Sequence, residues 1–184
     1  EIYQGLGISD PAVFTYPEAL ISLLVLLLLG FLMRIRDNEV ALITIMILMA
    51  VGSALIGLGT LAFQAGMLGP VYWMILVGSG LYVGYVPFGC MLFDRMIAAI
   101  GFVGTAGFMI YVTDSFGYLG SVFLLLYKNF GGHELSWLSF FQTFSYTTAV
   151  VGTLCFVLAA IYFHFAIVRK NRAMRASVKG PDLA

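Results

Sequence analysis

Apolar residues run along this chain in five long stretches, and short groups of charged, Gly and Pro residues separate them. The stretches are 17–33, 40–64, 71–93, 96–127 and 137–168. A helix needs about 20 predominantly apolar residues to cross a bilayer, so each reads as a membrane-spanning helix. The first gap holds Arg34, Arg36, Asp37, Asn38 and Glu39, and the second runs from Gly66 to Pro70. Asp94 and Arg95 mark the third gap, and Lys128 to Ser136 fill the fourth. Charge, Gly and Pro of this kind end helices. The pattern therefore predicts an all-α integral membrane bundle of five spans, with its termini on opposite sides of the bilayer.

Composition agrees: 61% of residues are apolar and 10% charged, where a soluble domain carries about 25% charged residues. Mean hydropathy is +1.02. The formal net charge of zero hides an asymmetry, because Arg169, Lys170, Arg172, Arg175 and Lys179 crowd the last sixteen residues. Positive residues are retained on the cytoplasmic side during insertion. Alternating spans put Arg34, Arg36, Arg95 and the five tail residues on one side, and Lys128 alone on the other. The basic tail 169–184 and the loops at 34–36 and 94–95 are thus expected in the cytoplasm. Tyr72, Trp73, Tyr127 and Trp137 fall at the outer boundary, where amphipathic rings favour headgroup depth. The chain opens on Glu1 with no Met and no signal-peptide pattern, which reads as a fragment or processed product. Residues 1–16 are then the end of a missing helix and an outer loop.

Helices in lipid associate through close contact at small residues. Ser53 and Gly57 are four apart, as are Gly80 and Gly84. Gly101, Gly104 and Gly107 recur every three residues ahead of Gly117 and Gly120. These are the expected helix-packing faces. Leu20 to Leu29 is nearly pure leucine and is expected to face lipid.

The fourth stretch is 32 residues, about 48 Å of helix, more than a 30 Å hydrocarbon core requires. It must tilt, kink or protrude. Near its middle lies Asp114, an ionisable residue deep inside a span, which is costly and marks a bundle interior or aqueous cavity. Tyr111 and Tyr118, at i−3 and i+4, share its helix face. These three are the first candidates for a substrate or proton path, against a purely structural hydrogen-bonded aspartate. The second candidate is Pro87 in the third span, where a helix-interior proline removes a hydrogen bond and bends the axis. Tyr82 and Tyr85 stand beside that break.

Arg34, Arg36, Asp94 and Arg95 are candidate cytoplasmic gate residues, with an interfacial charge pair as the plainer reading of the last two. Glu18 suits a helix N-terminus. Cys90 and Cys155 sit in apolar runs and read as buried packing residues. His133 and His164 are too far apart in the topology for a haem pair, and Ser79 shares its leaflet with no histidine. No enzyme, cofactor, metal or nucleic-acid partner is expected.

Five spans, a cytoplasmic C-terminus, small-residue faces and one buried acid resemble the C-terminal half of a major facilitator superfamily transporter. More closely, the runs Glu1-Ile-Tyr-Gln, Pro11-Ala-Val-Phe-Thr, Tyr82-Val-Gly-Tyr-Val-Pro-Phe-Gly-Cys-Met-Leu-Phe-Asp-Arg, Asp114-Ser-Phe-Gly-Tyr-Leu-Gly-Ser-Val and Leu126-Tyr-Lys-Asn-Phe resemble a bacterial family of facilitator-like membrane proteins of unknown function. The resemblance covers nearly the whole chain except its last residues. It implies the bacterial cytoplasmic membrane, an N-terminal half of the same transporter as partner, and an unknown small solute moved by alternating access. The departure is at Gly30, which is followed by Arg34 where facilitator proteins often place an aspartate. A non-transporting scaffold or sensor, held to a partner by helix contacts, stays open beside the transporter.

Overall fold

The computed structural model describes residues 12–101, 103–130 and 136–179. Residues 1–11 of the segment expected as a helix end and outer loop, the loop holding His133 and the side chains of Arg175 and Lys179 lie outside the described residues. The fold is all-α. Helix α1 covers Ala12–Met33, α2 Asn38–Gln64 and α3 Pro70–Pro87, which runs through a π-helical stretch at Phe88–Leu92 into α4, Phe93–Ile100. Helix α5 covers Ala106–Phe130 and α6 Trp137–Lys179. Four stretches among the described residues are long and apolar enough to cross a membrane: 38–64, 70–100, 106–130 and 137–173. The apolar part of α1, Glu18–Met33, is shorter.

Local chemistry sets these ends. The Asp37 carboxylate accepts hydrogen bonds from the Glu39 and Val40 backbone N–H groups at 2.8 and 3.1 Å, capping α2. Pro70 occupies the first turn of α3, where a missing N–H costs nothing. Pro87 does not stop the third span. It lacks an N–H for the Val83 carbonyl one turn back, a π-helical stretch follows it, and the helix continues to Ile100. There Gly101, at φ 76°, closes α4 in the left-handed conformation and donates to the Ile97 carbonyl at 2.9 Å.

That closure corrects the expected fourth span. Residues 96–100 belong to the end of the third span, and a new helix begins at Ala106. The excess length is a break, not a tilt. Gly101 and Gly104 accordingly lie at this break and on no helix face. Helix α1 begins at Ala12, earlier than Pro17. Helix α6 continues past Val168 well into the basic tail, so 43 residues give about 64 Å of helix.

Helix α2 is the centre of the bundle, packed antiparallel to α3 and α6. At one end Leu32, Leu42, Ile45, Met46, Met49, Leu92, Ala99, Ala160 and Ile167 form a core. At the other, Ile56, Trp73 and Val77 pack with Phe63, Leu138 and Phe141. Trp73 is fully buried, stacked on Phe63 at 4.2 Å and edge-on to Phe141 at 5.8 Å, and donates to Thr60 Oγ1 at 3.2 Å. It is an internal anchor and not a boundary ring, because its N–H finds a partner inside the bundle. Tyr72 and Tyr127 are exposed. Cys90 and Cys155 are exposed, contrary to the packing role expected of them. A thiol is apolar enough to stand on a lipid-facing surface, so an apolar run does not fix which way it points.

Helices meet where side chains are small. Gly52 and Gly80 bring α2 and α3 together so closely that a Cβ at Gly80 would lie 2.6 Å from the Gly52 carbonyl oxygen. The backbone N of Gly84 lies beside the same contact. Ser53 and Gly57 turn to α6, where they meet Gly152 and Ala149. Gly107, Gly117 and Gly120 on α5 face open space.

Candidate functional site

Helix α5 has none of its residues buried. It carries two different sides. Phe108, Phe116, Leu119 and Phe123 form an apolar side, while Gly107, Tyr111, Asp114, Tyr118 and Ser121 recur at the three- and four-residue spacings of another. Asp114 is half-buried, and Tyr111 and Tyr118 are 76% and 74% exposed. The two tyrosines thus share the face of Asp114, but both extend away from the helix, and among the described residues neither hydroxyl reaches the carboxylate. Nearby hydroxyls are occupied by their own helix: Thr113 donates to the Met109 and Ile110 carbonyls, Ser115 to Tyr111 and Ser121 to Gly117. Among the described residues no side chain donates to Asp114, which stands half-buried on this polar side.

The end of α5 is tied to α6 by Lys128, whose Nζ sits 4.8 Å above the Trp137 ring. Pro87 is buried, whereas Tyr82 and Tyr85 point away from the bundle. The structure does not bring these tyrosines together with Pro87 around an internal cavity.

A second polar constellation lies at the basic end of the bundle. Arg95 Nη1 donates to Asn38 Oδ1 at 2.6 Å, joining α4 to the start of α2. Asn171 Nδ2 donates to the Glu39 carboxylate at 3.0 Å, joining α6 to α2. Lys170 Nζ donates to the Ala99 carbonyl at 2.8 Å, satisfying one of the acceptors left free at the end of α4. Three ties thus clamp α2, α4 and α6. Arg34 and Arg36 are exposed on the loop beside them. Asp94 and Arg95 both line a cavity of about 590 Å³ with Leu29, Met33, Asn38, Cys90, Met91 and Ala98. Arg95 turns to Asn38 in a cross-helix tie that sequence spacing does not announce.

In the sequence Asn38 and Glu39 mark only a helix boundary, Lys170 only the side of the membrane, and Asn171 carries no signal. Glu39 and Asn171 are 132 positions apart, and only the packing of α6 on α2 brings them together. The far end carries a matching tie: Tyr146 donates to Gln64 Oε1 at 2.8 Å and Gln64 Nε2 to Gln142 Oε1 at 3.2 Å. Between α2 and α6 lies an apolar groove of about 580 Å³ that includes Ile47, Val51, Val157 and His164. Among the described residues no three His, Cys, Asp or Glu side chains gather as metal ligands would.

Searches of curated proteins and of solved structures find no match. A family model described as a family of unknown function (DUF5690) matches residues 1–165, nearly all of α1 to α6 but not the basic extension of α6. The chain, a membrane-type helical bundle with one exposed helix that carries a carboxylate at mid-length, belongs to that family.

Proposed function

We propose that the chain is half of a secondary transporter of the facilitator type, with α5 as the helix that faces the solute path. One observation carries this reading. Helix α5 bears a half-buried carboxylate at mid-length and has no fully buried residue within the described bundle. A charged group facing hydrocarbon costs at least about 2.5 kcal/mol, so the Asp114 face belongs against other helices or water. The apolar side of Phe108, Phe116 and Phe123 suits lipid. A helix divided in this way lines a path between two half-bundles, as alternating-access carriers require.

In this reading Asp114 binds a proton or a cationic group of the solute, and Tyr111 and Tyr118 supply hydroxyls along the same face. The partner is the other half-bundle of the transporter, in a bacterial cytoplasmic membrane with the basic end inside. The π turns after Pro87 give the third span a place to bend. The test is uptake of a panel of small solutes into proteoliposomes carrying the full-length protein, with pH as the variable. Proton-dependent uptake in the wild type and its loss in Asp114→Asn, at unchanged abundance, is the expected result. If Asp114→Asn instead alters only assembly with a partner protein, the chain is a membrane scaffold.

A further inference from the structure

We infer that the cavity at the basic end is a binding site for one phospholipid with a zwitterionic, primary-ammonium headgroup. Such a site requires only that the bundle spans a membrane and is independent of whether the protein transports.

The cavity is the size of a small-molecule site, which run from about 300 to 1,000 Å³. Its lining mixes two chemistries. Leu29, Met33, Cys90, Met91 and Ala98 supply thioether, thiol and alkyl surface, and Asn38, Asp94 and Arg95 supply an amide and a charge of each sign. An acyl chain suits the first set and a headgroup the second. Depth bears on the headgroup. From Tyr72, exposed near the start of α3, the helix needs roughly 33 Å to reach Asp94, about one hydrocarbon thickness. Asp94 and Arg95 therefore stand at headgroup level.

Charge selects the headgroup. Of the carboxylates at this end, Asp37 is engaged by the N-terminus of α2 and Glu39 by Asn171. Asp94 is exposed and lines the cavity. Arg95 donates one N–H to Asn38, which holds the guanidinium in place and leaves other N–H groups of the fork for phosphate oxygens. A phosphate on Arg95 with an ammonium on Asp94 satisfies both charges. An anionic headgroup leaves Asp94 opposed by like charge. A choline headgroup offers no N–H to the carboxylate, and the cavity lining holds no aromatic ring to receive a quaternary ammonium.

The experiment is native mass spectrometry of the full chain with equal amounts of phosphatidylethanolamine, phosphatidylcholine and phosphatidylglycerol. Retention of phosphatidylethanolamine about tenfold above the other two is expected, matching one charge-assisted hydrogen bond. Asp94→Asn should erase the preference over phosphatidylcholine, and Arg95→Lys should weaken retention of all three. A second readout uses the wild-type cavity, in a Cys155→Ser background. Phosphatidylethanolamine should slow maleimide reaction at Cys90, which lines the site and is exposed. Equal retention of the three lipids, or a preference unchanged in Asp94→Asn, would overturn the proposal. Protection of Cys90 by soluble phosphoethanolamine as strong as that by the lipid would overturn it as a lipid site.

Discussion

Helices α2 and α5 are both apolar and long enough to span a membrane, yet α2 is the most buried element of the bundle and α5 has no fully buried residue. Their sequences differ in a way that explains this. Helix α2 offers Gly52, Ser53, Gly57 and Thr60 at close spacing, so α3 and α6 approach it on two sides. Its hydroxyls are absorbed internally, as Thr60 bonds both the Ile56 carbonyl and Trp73. Helix α5 has as many glycines, but no neighbour enters the space beside Gly107, Gly117 or Gly120. Small residues permit close contact without determining whether it occurs. What distinguishes α5 is a carboxylate at mid-length, where α2 has its own only in the first turn, and a carboxylate so placed calls for water or a polar partner.

The largest effects are expected on the rigid side of this contrast. Trp73→Ala removes a fully buried ring and its hydrogen bond, and should cost about 4 kcal/mol, read as loss of monodisperse protein on heating in detergent. Gly80→Val places side-chain atoms against the Gly52 carbonyl and should cost about 3 kcal/mol in the same assay. Gly120→Val on α5 serves as the control and should leave the melting profile unchanged. Gly101→Ala, which forces a Cβ into a left-handed residue at the end of α4, should lower stability by about 1 kcal/mol. The smallest effect is expected for Asn171→Ala, about 1 kcal/mol or less, because its bond to Glu39 is partly exposed; equilibrium unfolding in denaturing detergent would register it.

The elements the sequence announced best are those whose ends carry chemistry. Asp37 capping α2, Pro70 opening α3 and Lys128 near the close of α5 mark boundaries that any reading of charge and proline finds. The break between α4 and α5 is different. Gly101 to Thr105 contains no charge and no proline, and it is bounded by apolar residues on both sides. A run of glycines there reads equally as a packing face or as a chain turn, and only φ at Gly101 decides. Trp73 shows the same ambiguity, since boundary rings and buried anchors both occur near helix ends. Of the candidate site, Asp114 was legible because depth alone makes a carboxylate conspicuous. The tie from Asn171 to Glu39 was not, because neither residue is unusual until the two helices meet. Arg95 was legible as a charge and illegible as a partner of Asn38.

If α5 faces a solute path, its Asp114 face lies along water while its phenylalanine side meets lipid. Single cysteines at positions 111, 114, 118, 112, 116 and 123, introduced with Cys90 and Cys155 replaced by Ser, test this in intact membranes. A small hydrophilic, membrane-impermeant thiol reagent should modify Tyr111→Cys, Asp114→Cys and Tyr118→Cys and spare Val112→Cys, Phe116→Cys and Phe123→Cys. Uniform protection of all six, or equal labelling of both sides, would contradict a water-lined Asp114 face.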